Sequence, residues 1–213
     1  MTRFTTFILN VAFVVFLVSG CAQEPHRRNT ASYFELGLDA EAQGNYAGAR
    51  ESFWRAWVDA RDSDAPPAYK SSVLFNLGRM TGYTCEFYQA RKLLQEALDM
   101  EISLSGTDSS NVGDRLLELA RLNFDHEQYL EAVWFYEKGL SLAVRSGVEK
   151  NDPIFLANMS DELAKSYQQS GQSALAIAAM HRAAFIRMQH PDQEAKLVPV
   201  RYPRTCQNEY GRR

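Results

Sequence analysis

Four segments of the chain repeat one pattern of small and large side chains, at steps of 41, 42 and 44 residues. A leucine and a small residue open each segment: Leu36-Gly37, Leu77-Gly78, Leu119-Ala120 and Leu163-Ala164. Twelve residues later comes an alanine, then a large residue, then a small one: Ala49-Phe53-Ala56, Ala90-Leu94-Ala97, Ala132-Tyr136-Gly139 and Ala176-Met180-Ala183. Spacings of three, four and seven place these residues on one helical face. Each segment therefore predicts two antiparallel helices that approach closely at the small residues.

The breaks in the pattern fix the predicted helices and the fold class. Turn residues such as Gly44-Asn45 and Ser170-Gly171 divide each pair, and longer polar breaks separate the pairs. No segment alternates polar and apolar residues as a strand does. We predict an all-α fold with eight helices, over residues 30–43, 46–61, 67–83, 86–103, 110–125, 128–145, 153–169 and 172–189.

The repeated pattern resembles the tetratricopeptide repeat (TPR), and it covers almost the whole chain after residue 30. It departs from that family in period, since the common repeat has 34 residues, and the longer step resembles the repeats of kinesin light chains. It also lacks most of the family's first-helix Trp and Tyr residues. The resemblance implies a right-handed superhelical solenoid of about four antiparallel helix pairs. It also implies a concave surface, lined by the first helix of each pair, that binds a protein or peptide.

The N-terminal residues predict export and a lipid anchor. Arg3 precedes a core of about a dozen apolar residues, which is short for a membrane span and typical of a secretory signal. Val18-Ser19-Gly20-Cys21 resembles the lipobox of bacterial lipoproteins, which implies removal of residues 1–20 and acylation of Cys21, for example with palmitate. A plain signal peptide and an uncleaved anchor are the alternatives. Ala22 follows the cysteine where the family's inner-membrane retention signal has Asp, so the expected location is the periplasmic face of the outer membrane.

Composition and motifs argue against several classes of function. The net charge is −3, and it is near −4 without Arg3, whereas nucleic-acid binders are normally basic. No nucleotide-binding, hydrolase or metalloprotease motif occurs, and no histidine lies at metal-ligand spacing from another histidine or a cysteine. We therefore expect no enzyme activity, catalytic residue, metal, cofactor, nucleic acid or small-molecule substrate.

The candidate partner site is the surface formed by the first helices. The residue after each small position should point into it. These four residues are Leu38, Arg79, Arg121 and Lys165, and the last three are basic. Neighbouring positions on the same face supply Phe34, Phe75, Tyr83, Phe124 and Gln168. Cations beside aromatic rings can hold carboxylates, so an acidic partner is one hypothesis. The alternative is an ordinary solvated helix face. On either view the three cations should be exposed, and replacing them with Glu should leave stability nearly unchanged.

The domain limits and the two remaining cysteines complete the predictions. We divide the chain into a signal peptide (1–20), a short tether (21–29), the repeat domain (30–190) and a basic C-terminal tail (191–213). Cys85 and Cys206 are left once Cys21 is lipidated, and an oxidising compartment favours a disulfide between them. Such a bridge would fold the tail back along the repeats. Two free thiols are the alternative.

These features together predict an outer-membrane-tethered periplasmic lipoprotein that acts as a protein–protein interaction scaffold in an envelope assembly. Two alternatives use the same fold. One is a pilotin-like assembly factor for an outer-membrane secretion or pilus subunit, and the other is a regulator of cell-wall enzymes.

Overall fold

The computed structural model describes residues 24–196 and 199–203, with side chains from Ser32 onward. Within these ranges the chain forms nine helices: α1 (Glu24–Ala42), α2 (Tyr46–Arg61), α3 (Pro67–Tyr83), α4 (Phe87–Ser105), α5 (Ser110–Asp125), α6 (Tyr129–Arg145), α7 (Val148–Asn151), α8 (Pro153–Gln169) and α9 (Ser173–Gln189). Seven of the eight predicted helices agree with these bounds to within two residues. The predicted signal peptide (1–20), Cys21 and the last ten residues lie outside the described ranges.

Two local predictions were wrong. Helix α1 begins at Glu24 rather than near residue 30, with Pro25 in its first turn, where proline is tolerated. The predicted tether (21–29) is therefore helical over most of its length, and six helical residues span only about 9 Å. The break after α6 contains the additional short helix α7, and Asp152 then caps α8 by accepting a hydrogen bond from the Phe155 amide at 3.0 Å.

The small residues of the repeat set the distance between paired helices, as predicted. A Cβ atom at Gly37 would lie 2.6 Å from the Phe53 ring, and one at Gly78 would lie 2.9 Å from Leu94. Contacts this short leave no room for a side chain, so each helix pair closes directly on the glycine. Because each helix packs on its neighbours along the chain, the pairs stack into an elongated array.

The large residue of each repeat lies on the second helix of its pair. Phe53 and Leu94 pack against the first helix of the same pair, and Tyr136 also reaches Glu162 in the next pair. Phe53, Leu94 and Tyr136 have no exposed surface, whereas Met180 is 55% exposed. Met180 lies on α9, and no further described helix follows to cover it. The last pair thus has the same residue pattern as the others, but its large residue is exposed instead of buried.

The turn inside each pair places one residue in the left-handed region at the same point of the repeat. These residues are Gly44, Cys85, Glu127 and Gly171, with φ between 61° and 79°. Glycine adopts this conformation freely, whereas other residues are strained in it. The backbone geometry is therefore conserved between repeats even where the sequence provides no glycine.

Two clusters of buried side chains form the core. One joins α2, α3, α4 and α5 with Leu142 of α6, and it includes Tyr202 from the C-terminal segment. The other joins α5, α6, α8 and α9. Among the described helices none is long and apolar enough to cross a membrane.

Candidate functional site: a groove occupied by the C-terminal segment

The first helices of the second, third and fourth pairs form one continuous surface, which we call the groove and define by α3, α5 and α8. Residues 199–203, here called the return segment, lie across it without helical structure. They contact Tyr83 on α3, Glu118, Arg121 and Asp125 on α5, and Glu162 on α8. The chain thus occupies its own candidate partner site.

Tyr202 is the buried anchor of the return segment. Its ring is 1% exposed and stacks on Tyr83, with the centroids 4.5 Å apart and the planes 21° from parallel. Gly82 makes this approach possible, because a Cβ atom there would lie 2.5 Å from the ring. The phenolic hydroxyl donates a hydrogen bond to Glu118. The site therefore reads both the ring and its hydroxyl group.

Arg201 binds two carboxylates that belong to different repeats. Its guanidinium donates to Asp125 at the end of α5 and to Glu162 on α8. The side chain of Asp125 is only 1% exposed and that of Glu162 is 17% exposed. The same guanidinium lies 4.8 Å from the centroid of the Phe124 ring. This arrangement combines charge pairing with stacking on an aromatic ring.

The main chain of the return segment is held as firmly as its side chains. The Val200 carbonyl accepts hydrogen bonds from the Tyr83 hydroxyl at 3.1 Å and from Arg121. The Tyr202 amide donates to Asp125 at 2.9 Å. Both carboxylate oxygens of Asp125 are therefore engaged by the return segment.

Two members of the predicted basic column are paired with carboxylates, one on α1 and one in the groove. Arg79 pairs with Glu41 on α1 at 2.5 Å, and its Nε lies 3.7 Å from Glu118. Arg121 pairs with Glu118 at 2.7 Å and is 5% exposed. The expectation that all three cations are exposed was thus wrong for Arg121, which is buried, and for Arg79, whose side chain is only 22% exposed. Lys165 is exposed, as expected, and its ammonium lies 5.4 Å from the Phe124 ring.

The other predicted groove residues divide into two groups. Tyr83 and Phe124 line the return segment, as described above. Phe34 instead packs between Phe53 and Tyr69, with both ring centroids 5.5 Å away. Phe75 lies beneath Arg115, whose guanidinium is 3.8 Å from the ring centroid. Gln168 is exposed near the end of α8.

The pKa values of the two groove glutamates, Glu118 and Glu162, are shifted in opposite directions by burial and neighbouring charges. Burial by itself raises the pKa of Glu118, but Arg121 and Arg79 outweigh it, and the pKa is lowered. Burial also raises the pKa of Glu162, and there it prevails over the Tyr136 hydrogen bond and Arg201. The pKa of the Tyr202 hydroxyl is raised by burial and by Glu118, so this group stays a hydrogen-bond donor near neutral pH. The groove holds Glu118 charged and Tyr202 neutral.

Cys85 is disulfide-bonded. Cys21 and Cys206, the other cysteines of the chain, both lie outside the described residues, so the pairing with Cys206 stays a prediction. The return segment brings this part of the chain close to Cys85, because Tyr202 stacks on Tyr83, two residues before Cys85. Cys206 follows Tyr202 by four residues, and four residues span at most about 14 Å. No cluster of potential metal ligands occurs among the described residues.

No family model matches the chain, and no curated protein matches it. Solved structures do match. BtubC (BKLC) from P. vanneervenii superposes with a TM-score of 0.70 at 21% identity, over 80% of this chain and 68% of that one. A Podosopora anserina protein described as a kinesin light chain with nearly identical TPR-like repeats gives a TM-score of 0.65 at 20% identity, over 79% and 78%. The fold is a TPR-like solenoid. MamA is also similar, with a TM-score of 0.59 at 18% identity, over 78% and 83%.

These similarities confirm the repeat fold that the sequence predicted. At about 20% identity they establish the architecture and not the partner. Solenoids of stacked helix pairs present extended concave surfaces and generally bind other proteins. The lipobox, the acylation of Cys21 and the outer-membrane location stay predictions.

Sequence reasoning missed the residues that hold the return segment, namely Gly82, Glu118, Asp125, Glu162, Arg201 and Tyr202. A signal was present in "PVRYP", where an arginine and a tyrosine lie between Pro199 and Pro203. Prolines disfavour a helix, and the extended conformation that they favour in the preceding residue suits a segment lying in a groove.

Proposed function

We propose that the chain is a lipid-anchored scaffold that binds a protein partner through the groove, on the periplasmic face of the outer membrane. The observation that carries the binding role is the return segment, since Val200, Arg201 and Tyr202 contact three helices of the groove through side chains and main chain. A surface that binds one extended segment so completely has the chemistry of a peptide-recognition site. The non-enzymatic role is part of the same proposal.

The location rests on sequence features alone. Val18 to Cys21 supports acylation, and Ala22 supports the outer membrane. Because α1 begins at Glu24, little extended chain would separate the anchor from the first repeat. A solenoid anchored in this way would lie close to the membrane, where an envelope assembly factor works.

The hypothesis of an acidic partner has less support than the sequence suggested. Arg79 is paired with Glu41 on α1, and Arg121 is paired with Glu118 in the groove. Lys165 is the member of the column that remains exposed. An acidic segment would have to approach Asp125 and Glu162 as well, so its binding would depend on Lys165 against two nearby negative charges.

The anchor is tested by Cys21→Ser, with Ser19→Ala as a matched control in the same signal. We expect the Cys21→Ser protein to leave the membrane fraction or to remain unprocessed, while the control stays membrane-bound. Cleavage after Gly20 with firm membrane binding in the Cys21→Ser protein would refute lipid anchoring.

The scaffold role is tested by photo-crosslinking in intact cells. A photoreactive residue is placed at Gln168, exposed at the groove, or at Lys138, exposed on α6. We expect a specific protein adduct at Gln168 and a much weaker one at Lys138. A partner captured only at Lys138 would move the binding site to the opposite face, and no adduct at either position would contradict the scaffold.

A further inference from the structure

We propose that the groove recognises an extended segment in which arginine is followed directly by tyrosine, and that the return segment is the resident copy of this ligand within the chain. The inference rests on the proposed binding role and specifies the chemistry of the partner. A partner would carry a basic and aromatic extended segment, and it would bind by displacing residues 199–203.

The arginine subsite is built from two carboxylates and a ring. Asp125 and Glu162 flank the guanidinium of Arg201, and Phe124 lies beneath it. A planar guanidinium can donate to two carboxylates at once while it stacks on an aromatic ring, which an ammonium cannot do. The geometry therefore favours arginine over lysine at this position.

The tyrosine subsite lies one residue further along, on α3 and α5. Gly82 supplies the space, Tyr83 supplies the stacking surface, and Glu118 accepts the hydroxyl hydrogen bond. A phenylalanine would keep the ring contact and leave the buried Glu118 without that donor. A buried acceptor that loses its donor is unfavourable, so the subsite discriminates tyrosine from phenylalanine.

Two main-chain contacts hold any occupant in an extended conformation. One is the carbonyl before the arginine, which accepts from Tyr83 and Arg121. The other is the amide of the tyrosine, which donates to Asp125 at 2.9 Å. These hydrogen bonds involve only main-chain atoms of the bound segment. Specificity therefore comes from the arginine and tyrosine side chains.

The charge of the empty groove decides the sign of its partner. When Arg201 leaves, Asp125 and Glu162 both lose the guanidinium that pairs with them. Two neighbouring carboxylates that share no cation disfavour a further negative charge beside them, so the open groove favours arginine over an acidic segment.

The resident segment also sets the conditions of the test. It is joined to α9 by residues 190–198, and so short a connection holds it near the groove at an effective concentration on the order of millimolar. A free peptide therefore competes poorly in the wild-type chain. Binding must be measured on a full chain in which the return segment has been weakened.

The experiment uses the full chain with Arg201→Ala and Tyr202→Ala, and a fluorescent peptide of sequence LVPVRYP, which matches residues 197–203. We expect the variant to bind this peptide at least tenfold more tightly than wild type does. Peptides with Glu in place of the arginine, or Ala in place of the tyrosine, should bind at least tenfold more weakly. Adding Asp125→Asn to the variant should reduce binding of the original peptide to a similar extent.

A random peptide library displayed on phage and selected on the same variant then identifies the preferred ligand. Enrichment of arginine followed by tyrosine supports the proposal. Enrichment of Asp and Glu residues, equal binding of the Glu-substituted peptide, or no binding of LVPVRYP overturns it.

Arg201→Gln provides a second variant if the double substitution disturbs folding, as judged by helicity. It keeps Tyr202 in place, and it should bind LVPVRYP at least threefold more tightly than wild type; unchanged weak binding contradicts the proposal. The peptide assay needs no cellular partner. Failure of cellular crosslinking therefore counts against the scaffold, whereas failure of the peptide assay counts against this ligand chemistry.

Discussion

Gly82→Ala offers a selective way to open the groove. A Cβ atom at this position would lie 2.5 Å from Cε1 and 2.9 Å from Cδ1 of Tyr202. The ring cannot move aside without losing its stack on Tyr83 and its bond to Glu118. We therefore expect the substitution to displace Tyr202 and, with it, the return segment.

The magnitude follows from what the ring loses. Burial of an aromatic side chain contributes about 1.5–3 kcal/mol, and a stacked aromatic pair adds about 0.5–1.5 kcal/mol. Displacement should thus weaken attachment of the return segment by about 2–4 kcal/mol. Alanine is better than glycine inside a helix by about 1 kcal/mol, so the free energy of global unfolding should fall by only about 1–3 kcal/mol.

Hydrogen exchange of the Tyr202 amide measures the local effect, because that amide donates to Asp125. At 1.4 kcal/mol for each factor of ten, its exchange should accelerate by roughly 30-fold to 1,000-fold. The matched control is Gly78→Ala, one turn earlier on α3, where a Cβ atom would meet Leu94 rather than the return segment. It should lower the melting temperature and leave the Tyr202 amide protected. Unchanged protection in Gly82→Ala would refute the reasoning.

Three further predictions follow from the same contacts. Arg121→Glu should lower the free energy of unfolding in urea by about 3–5 kcal/mol, because it removes the cation that pairs with the buried Glu118. Lys165→Glu, at an exposed position, should change it by about 0.5 kcal/mol or less. Equal effects of the two substitutions would contradict the burial of Arg121. Because the pKa of Glu118 is lowered in the folded state, this group stabilises the fold at pH values above the ordinary glutamate pKa of about 4.3, and the stabilisation is lost as the pH falls through the lowered folded value. The free energy of unfolding of Glu118→Gln should therefore fall less steeply with decreasing pH than that of wild type. An unchanged slope would count against the ion pair. Glu127→Gly should stabilise by about 0.5–1 kcal/mol because Glu127 has φ 61°, whereas Gln128→Gly should destabilise, and thermal melting of both variants would detect a reversed order.

The repeat architecture could be read from the sequence because its contacts are local and periodic. Gly37 meets Phe53 and Gly78 meets Leu94 within single repeats, and such spacings recur four times along the chain. The pattern also marks the large residues that are buried in the first three pairs, Phe53, Leu94 and Tyr136. It could not predict that Met180 is exposed, since that depends on where the array ends.

The groove could be predicted only in part because its decisive contacts are non-local. Position in the repeat placed Arg121 on the first-helix face correctly. Its burial depends on Val200 and Tyr202, about eighty residues away, and no periodic signal links these positions. Asp125 ends a predicted helix, and nothing in its position indicates that it binds Arg201 and the Tyr202 amide. Its role becomes visible only when the return segment lies beside it.

The return segment has a consequence for the order of events when the chain is made. Its hydrogen bonds join residues separated by 39 to 117 positions, whereas the helix pairs close over much shorter distances. The repeats can therefore assemble from the N-terminal end while the chain is still emerging, and the groove is complete before its resident ligand arrives. During that interval a partner competes with no tethered rival. A complex formed while the protein is synthesised or exported would thus be favoured over one formed afterwards. The order of synthesis would then influence which partners bind.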